Sequence, residues 1–123
     1  MDKQIIEGVV VFANEFAIKT ADTISVDEML KDLIPGFLKN KENEIQQLTE
    51  MLEKKDFTKV KKLGHNWKGS CPSYGFHYLG EMGKEFEELV HNEDYTTLKK
   101  IVSSLPSYIK NLDIHYQADQ GNF

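Results

Sequence analysis

His65, Lys68 and Gly69 stand within five residues of one another. Imidazole is a nitrogen nucleophile, and an unperturbed histidine, titrating near about 6.5, is largely neutral at pH 7. A lysine ammonium can hydrogen-bond a phosphoryl oxygen and offset its charge. A glycine inside a helix costs about 1 kcal/mol relative to alanine. Its presence beside a nucleophile points to a place where a side chain would obstruct an incoming partner. The three together have the chemistry to hold or pass on a phosphoryl group.

That chemistry requires one helix face. Asp56 is a good N-cap, and Val60, Leu63, Trp67, Ser70 or Cys71, and Tyr74 follow at intervals of three and four. Gly75 is placed as a C-terminal glycine. With residues advancing by about 100° each, Lys61, Lys62, Lys68, Gly69 and Pro72 fall within about 60° of His65. Leu63, Trp67, Ser70 and Tyr74 fall on the far side. His65 therefore points away from the core, provided the helix persists through Pro72.

The other elements follow from similar signals. Ser25-x-x-Glu28 reads as a capping box opening a short helix to about Leu33. Pro35 suits the first turn of the next helix, whose apolar stripe is Phe37, Leu38, Ile45, Leu48, Met51 and Leu52. A third helix carries Leu79, Met82, Phe86, Leu89 and Val90, with Gly80 and Gly83 allowing close helix contact. Asp94 caps a fourth, bearing Leu98, Ile101, Val102, Leu105, Ile109 and Leu112, which Pro106 should kink or divide. Residues after Tyr116 are polar and expected to fray.

The first two dozen residues are ambiguous. Val9-Val10-Val11-Phe12 and Phe16-Ala17-Ile18 can be read as short strands, yet Ile5, Val9, Phe12 and Phe16 also lie at helical spacing. Asn-Gly turn chemistry is missing, so a helix or irregular segment is the favoured expectation over a hairpin. The expected architecture is all-α. An antiparallel four-helix bundle spans residues 25–117, preceded by an N-terminal extension over 1–24 and followed by a polar tail over 118–123.

Composition narrows the function. A chain of 123 residues can bury a core without disulfides or metals. A net charge of −5 and the absence of arginine argue against a nucleic-acid binder. Lys54, Lys55, Lys59, Lys61, Lys62 and Lys68 nevertheless crowd around His65. Cys71, the only cysteine, excludes an intrachain disulfide and a cysteine-based zinc site. With no long apolar run or signal peptide, the expected location is cytoplasmic, with no membrane partner.

The pattern His65-x-x-Lys68-Gly69-Ser70, closed by Gly75, resembles the histidine-containing phosphotransfer (HPt) domain family. The likeness extends from about Ser25 to Tyr116, and Leu33-Ile34-Pro35-Gly36-Phe37-Leu38 looks like the opening of the family's first bundle helix. The resemblance implies a phosphorelay intermediate. His65 would accept a phosphoryl group, through Nε2, from a receiver-domain aspartate or a sensor or hybrid histidine kinase. It would then pass the group to a response-regulator receiver.

By the same resemblance Lys68 stabilises the phosphoryl group, Gly69 gives the receiver clearance, and Lys61 and Lys62 contribute to the receiver-facing surface. Family members often orient the histidine with a glutamine from the next helix; that position is Glu87 here, a departure. The protein would need no cofactor or metal of its own, Mg²⁺ belonging to the partner receiver, and would be a monomer. Two alternatives remain open at this point. One is the phosphoacceptor domain of a chemotaxis-type histidine kinase, and the other a helical module that binds receivers without phosphotransfer.

The remaining residues carry simpler expectations. His77 has a local role at a helix start, and His91 and His115 lie on the surface. Cys71, Trp67 and Tyr74 belong to the core. Ile34 and Phe37 are expected as exposed apolar residues, against the N-terminal extension or a receiver.

Overall fold

The computed structural model describes residues 3–6, 9–12 and 18–118. Four helices dominate: α1 (Ile34–Glu53), α2 (Phe57–Ser70), α3 (His77–His91) and α4 (Tyr95–Lys110). The all-α expectation is corrected at both ends of the chain. β1 (Lys3–Ile6) pairs antiparallel with β2 (Val9–Phe12), so strands and not a helix form there, and Val9–Phe12 pairs with the residues before it, not with the 16–18 segment weighed in the sequence. Phe16 and Ala17 lie outside the described residues.

β3 (Asp22–Asp27) pairs in parallel with β4 (Leu112–Gln117). The capping box at Ser25 does not form, because Ser25 is inside β3. Asp27 takes over as the cap, its carboxylate accepting from the Met29 amide at 2.9 Å, and a 3₁₀ turn runs over Glu28–Leu33. Leu112, expected on the fourth helix, begins β4 instead. Ile24 and Val26 are buried and face half-buried Ile114 and Tyr116 in register, while Thr23, Ser25, Asp113 and His115 alternate outward. Tyr108 donates to Asp22 Oδ2 at 2.8 Å, and Asn111 Nδ2 to the Thr20 carbonyl at 3.0 Å, which fastens β3 to the end of α4. Burial, and then that Asp22 partner, push the Tyr108 hydroxyl well above the ordinary phenol range.

Two helix starts form as their residue types dictate. The Asp56 carboxylate accepts from the Lys59 amide and the Asp94 carboxylate from the Thr97 amide. Each is preceded by a left-handed residue, Lys55 or Glu93, both at φ 56°. The next residues, Phe57 and Tyr95, stack at 3.8 Å. The two turns are therefore near copies that meet face to face.

The core is one cluster drawn from every helix and β3. Trp67, Phe76, Phe86, Leu48, Leu79, Met82, Leu98, Ile101 and Leu105 are fully enclosed, each contributing about 1.5–3 kcal/mol by leaving water. α2 packs most extensively on α3, and α1 on α4. Ile34 is buried here and Phe37 half-buried against Tyr74 and Phe76, so neither is the exposed apolar residue expected; Met29 and Leu33 are. Pro106 lies inside α4 without dividing it. No helix among the described residues is long and apolar enough to cross a membrane.

Candidate functional site

The site lies where α2 crosses α3 at two glycines. A Cβ on Gly64 would stand 2.5 Å from the Gly83 carbonyl oxygen and 2.8 Å from Phe86 Cβ. A Cβ on Gly83 would stand 2.7 Å from both the Lys68 amide nitrogen and Trp67 Cβ. Only hydrogen fits at either place, so the two backbones touch. Gly80 adds a third close approach, its position facing the Pro72 ring at 2.6 Å. Gly64 immediately precedes His65, and Gly83 is one turn before Glu87. The contact therefore brings the side chains of the two helices within reach of one another.

Glu87 bridges two of the residues singled out by sequence. Its Oε2 is 3.3 Å from His65 Nδ1, and its Oε1 is 3.1 Å from Lys68 Nζ. The His65 side chain is 69% exposed and that of Glu87 only 21%. Partial burial tends to raise the Glu87 carboxyl, but hydrogen bonds and charge from Lys68, then His65, outweigh it and hold the group below the usual carboxylate range. A carboxylate can only accept, so it fixes the Nδ1–H tautomer and leaves the lone pair on Nε2. The nucleophilic nitrogen is thus the one directed away from Glu87, on an exposed ring.

The depressed Glu87 pKa has a consequence for stability. A folded-state value below the unfolded value of about 4.5 stabilises the protein above that pH. The contribution disappears as pH falls through the folded value. Glu87→Gln is therefore expected to be less stable than the native protein at pH 7, the gap closing as the medium is acidified below about 4.5. Urea denaturation at pH 7 and pH 3 checks this; a gap that stays constant or widens in acid contradicts it.

The other sequence candidates divide. Lys61 lines a groove with Lys68 and Glu87 between α2 and α3. Lys62 is exposed on α2 and is not among the residues lining that groove. Gly69 is exposed, with nothing within 4 Å of where its Cβ would be. The packing that requires Gly64 and Gly83 makes no such demand at Gly69. Gly69→Ala is expected to raise folding stability by about 0.5–1 kcal/mol through helix propensity, as read from the urea midpoint; destabilisation would show a hidden packing role.

The helix bearing His65 is shorter than the spacing predicts. α2 ends at Ser70, and Pro72 lies in a 3₁₀ turn, Cys71–Tyr74, that ends at Gly75 with φ 92°. His65, Lys68 and Gly69 all precede this change, so their shared face survives it. Ser70 is exposed, not inward, and its hydroxyl donates to the Asn66 carbonyl at 2.8 Å. Cys71 is buried, and burial pushes its thiol up to about 11, which leaves it a packing residue and not a nucleophile.

Sequence reasoning passed over two supports of the site. Gly64 is one; a glycine adjacent to the histidine, matched by Gly83 on the next helix, is the signal that pointed to it. Glu44 is the other. Its Oε1 accepts from Lys41 Nζ at 2.7 Å and from Trp67 Nε1–H at 3.0 Å. Lys41 is buried, its ammonium also lying over the Phe37 and Trp67 rings. This inner network ties α1 to α2, the helix that carries His65. Among the described residues no group of acidic, histidine or cysteine side chains is arranged to hold a metal ion. Comparison of the chain with protein-family models, curated proteins and solved structures finds no match.

Proposed function

We propose that this chain is an HPt protein or module, its four helices forming the family's antiparallel bundle, and that His65 relays phosphoryl groups between signalling partners. The observation that carries the reading is the bridge from Glu87 to both His65 Nδ1 and Lys68. It leaves Nε2 as the nucleophile on a well exposed ring, with a cation one turn away.

The step follows from that arrangement. Nε2 attacks the phosphorus of an aspartyl phosphate on a receiver domain. The acyl P–O bond breaks, the aspartate leaves as carboxylate, and an Nε2–P bond forms. Positive charge then accumulates on the ring, and the Nδ1–H remains donated to Glu87. Lys68 is placed to turn toward the arriving phosphoryl oxygens. The reverse attack, by the aspartate of a second receiver, returns the imidazole to its starting tautomer. The receiver supplies the aspartate and its Mg²⁺. Open space at Gly69, and the lysines of α2, suit the approach of an acidic receiver surface.

The test is incubation with a phosphorylated receiver or hybrid kinase, followed by a search for an acid-labile, base-stable phosphoryl group. Transfer to the native chain and none to His65→Gln supports the proposal. Binding of receivers without transfer would instead establish the non-catalytic module. Loading only from an ATP-bound catalytic domain would establish the kinase phosphoacceptor domain.

A further inference from the structure

Loading His65 changes the charge around Glu87. In the resting site one carboxylate is matched by one lysine at 3.1 Å. A phosphoryl group brings on the order of two further negative charges. Lys68 cannot saturate both that group and Glu87. If it turns to the phosphoryl oxygens, a carboxylate that is only 21% exposed loses its lysine and keeps the ring Nδ1–H alone. If it stays, the phosphoryl group lacks a cation. A second lysine within reach of Glu87 would make up the deficit.

The groove beside the pair holds two lysines besides Lys68. It encloses about 310 Å³ between α2 and α3, and Lys61, Lys68, Lys84, Glu87, Glu88 and His91 line it. Lys84 is exposed and makes no ion pair among the described residues. It stands three residues before Glu87 on α3, a spacing at which helix side chains are neighbours. Lys61 is on the other helix, one turn before His65. Of the groove lysines Lys84 alone shares a helix with Glu87.

We propose that Lys84 is a positioning residue that takes the place of Lys68 on Glu87 when His65 is loaded. The carboxylate stays compensated, so it continues to hold Nδ1–H, and Lys68 is released to the phosphoryl group. The role rests on the phosphoacceptor reading of His65 and acts through Glu87.

Phosphoramidate is a small donor that removes the partner from the measurement. Nε2 attacks its phosphorus, the donor P–N bond breaks, and the nitrogen leaves as ammonia. Loading of the full chain is followed by intact mass, with His65→Gln as the blank. Lys84→Met is expected to load about fivefold more slowly, the scale of one partly exposed ion pair, while Lys84→Arg loads like the native protein. In a Glu87→Gln background, where no charge needs a counter-ion, Lys84→Met should have no further effect. Equal loading of native and Lys84→Met proteins overturns the proposal and leaves the function standing. So does an equal loss in both backgrounds, which would mark a general field effect. Loading of the native chain that persists in His65→Gln, or no loading at all, removes the phosphoacceptor reading and this proposal with it.

Discussion

His65→Gln is expected to abolish phosphoryl acceptance while leaving the fold intact. The side chain is 69% exposed, and the carboxylate it contacts keeps its other partner, Lys68. Surface changes of this kind alter stability by no more than about 0.5 kcal/mol. Glutamine keeps a polar group near Glu87 but has no basic nitrogen lone pair. The Cys71 thiol does not replace it, being buried and protonated. Transfer from a phosphorylated receiver should therefore fall by a factor on the order of 10³ or more, the scale expected when a covalent nucleophile is removed. The two measurements are radiolabel transfer and the thermal midpoint. Retained transfer with an unchanged midpoint would place the phosphoryl group elsewhere.

The second large effect is on folding. Gly83→Ala introduces a methyl group where 2.7 Å separates its position from the Lys68 amide nitrogen and from Trp67 Cβ. Neither neighbour can give way easily, one being backbone and the other the root of a fully buried indole. Overpacking of this kind costs about 1–3 kcal/mol and sometimes more, against a helix-propensity gain of about 1 kcal/mol. With backbone on one side, the upper end applies, and a net loss of about 2 kcal/mol is expected from urea denaturation. If the helices move apart, the 3.3 Å and 3.1 Å contacts of Glu87 open as well. Loading should then fall even in the folded fraction. A Gly83→Ala protein as stable as the native one would refute the close crossing. The same substitution at Gly69 is expected to have the opposite sign, because space there is open.

What was legible in the sequence was local. Asp56, Asp94 and Gly75 act at helix ends through their own side chain or backbone freedom, so residue type was enough. The outward direction of His65, Lys61 and Lys68 follows from the helical period alone. What was missed depends on partners distant in the chain. Thr23, Ile24, Ser25 and Val26 alternate over too few residues to announce a strand, and the strand they pair with begins near residue 112. Ser25 offered a plausible helix cap, and Asp27 displaced it once the strand consumed Ser25. The contact of Gly64 with Gly83 is a relation between two helices that neither displays by itself. Glu87 was placed by spacing, but its bridge to Lys68 required the crossing.

The parallel strands also have a consequence in time. Their register joins Asp22 to Leu112 and Asp27 to Gln117, with all four helices between them. Helix pairs joined by turns of a few residues close quickly, whereas a loop of this length pays a larger closure entropy before its contacts repay it. The helices therefore assemble first, carrying the crossing at Gly64 and Gly83, and the strands zip together last. The order of folding separates the His65 surface from the clasp that joins the two ends of the helical body.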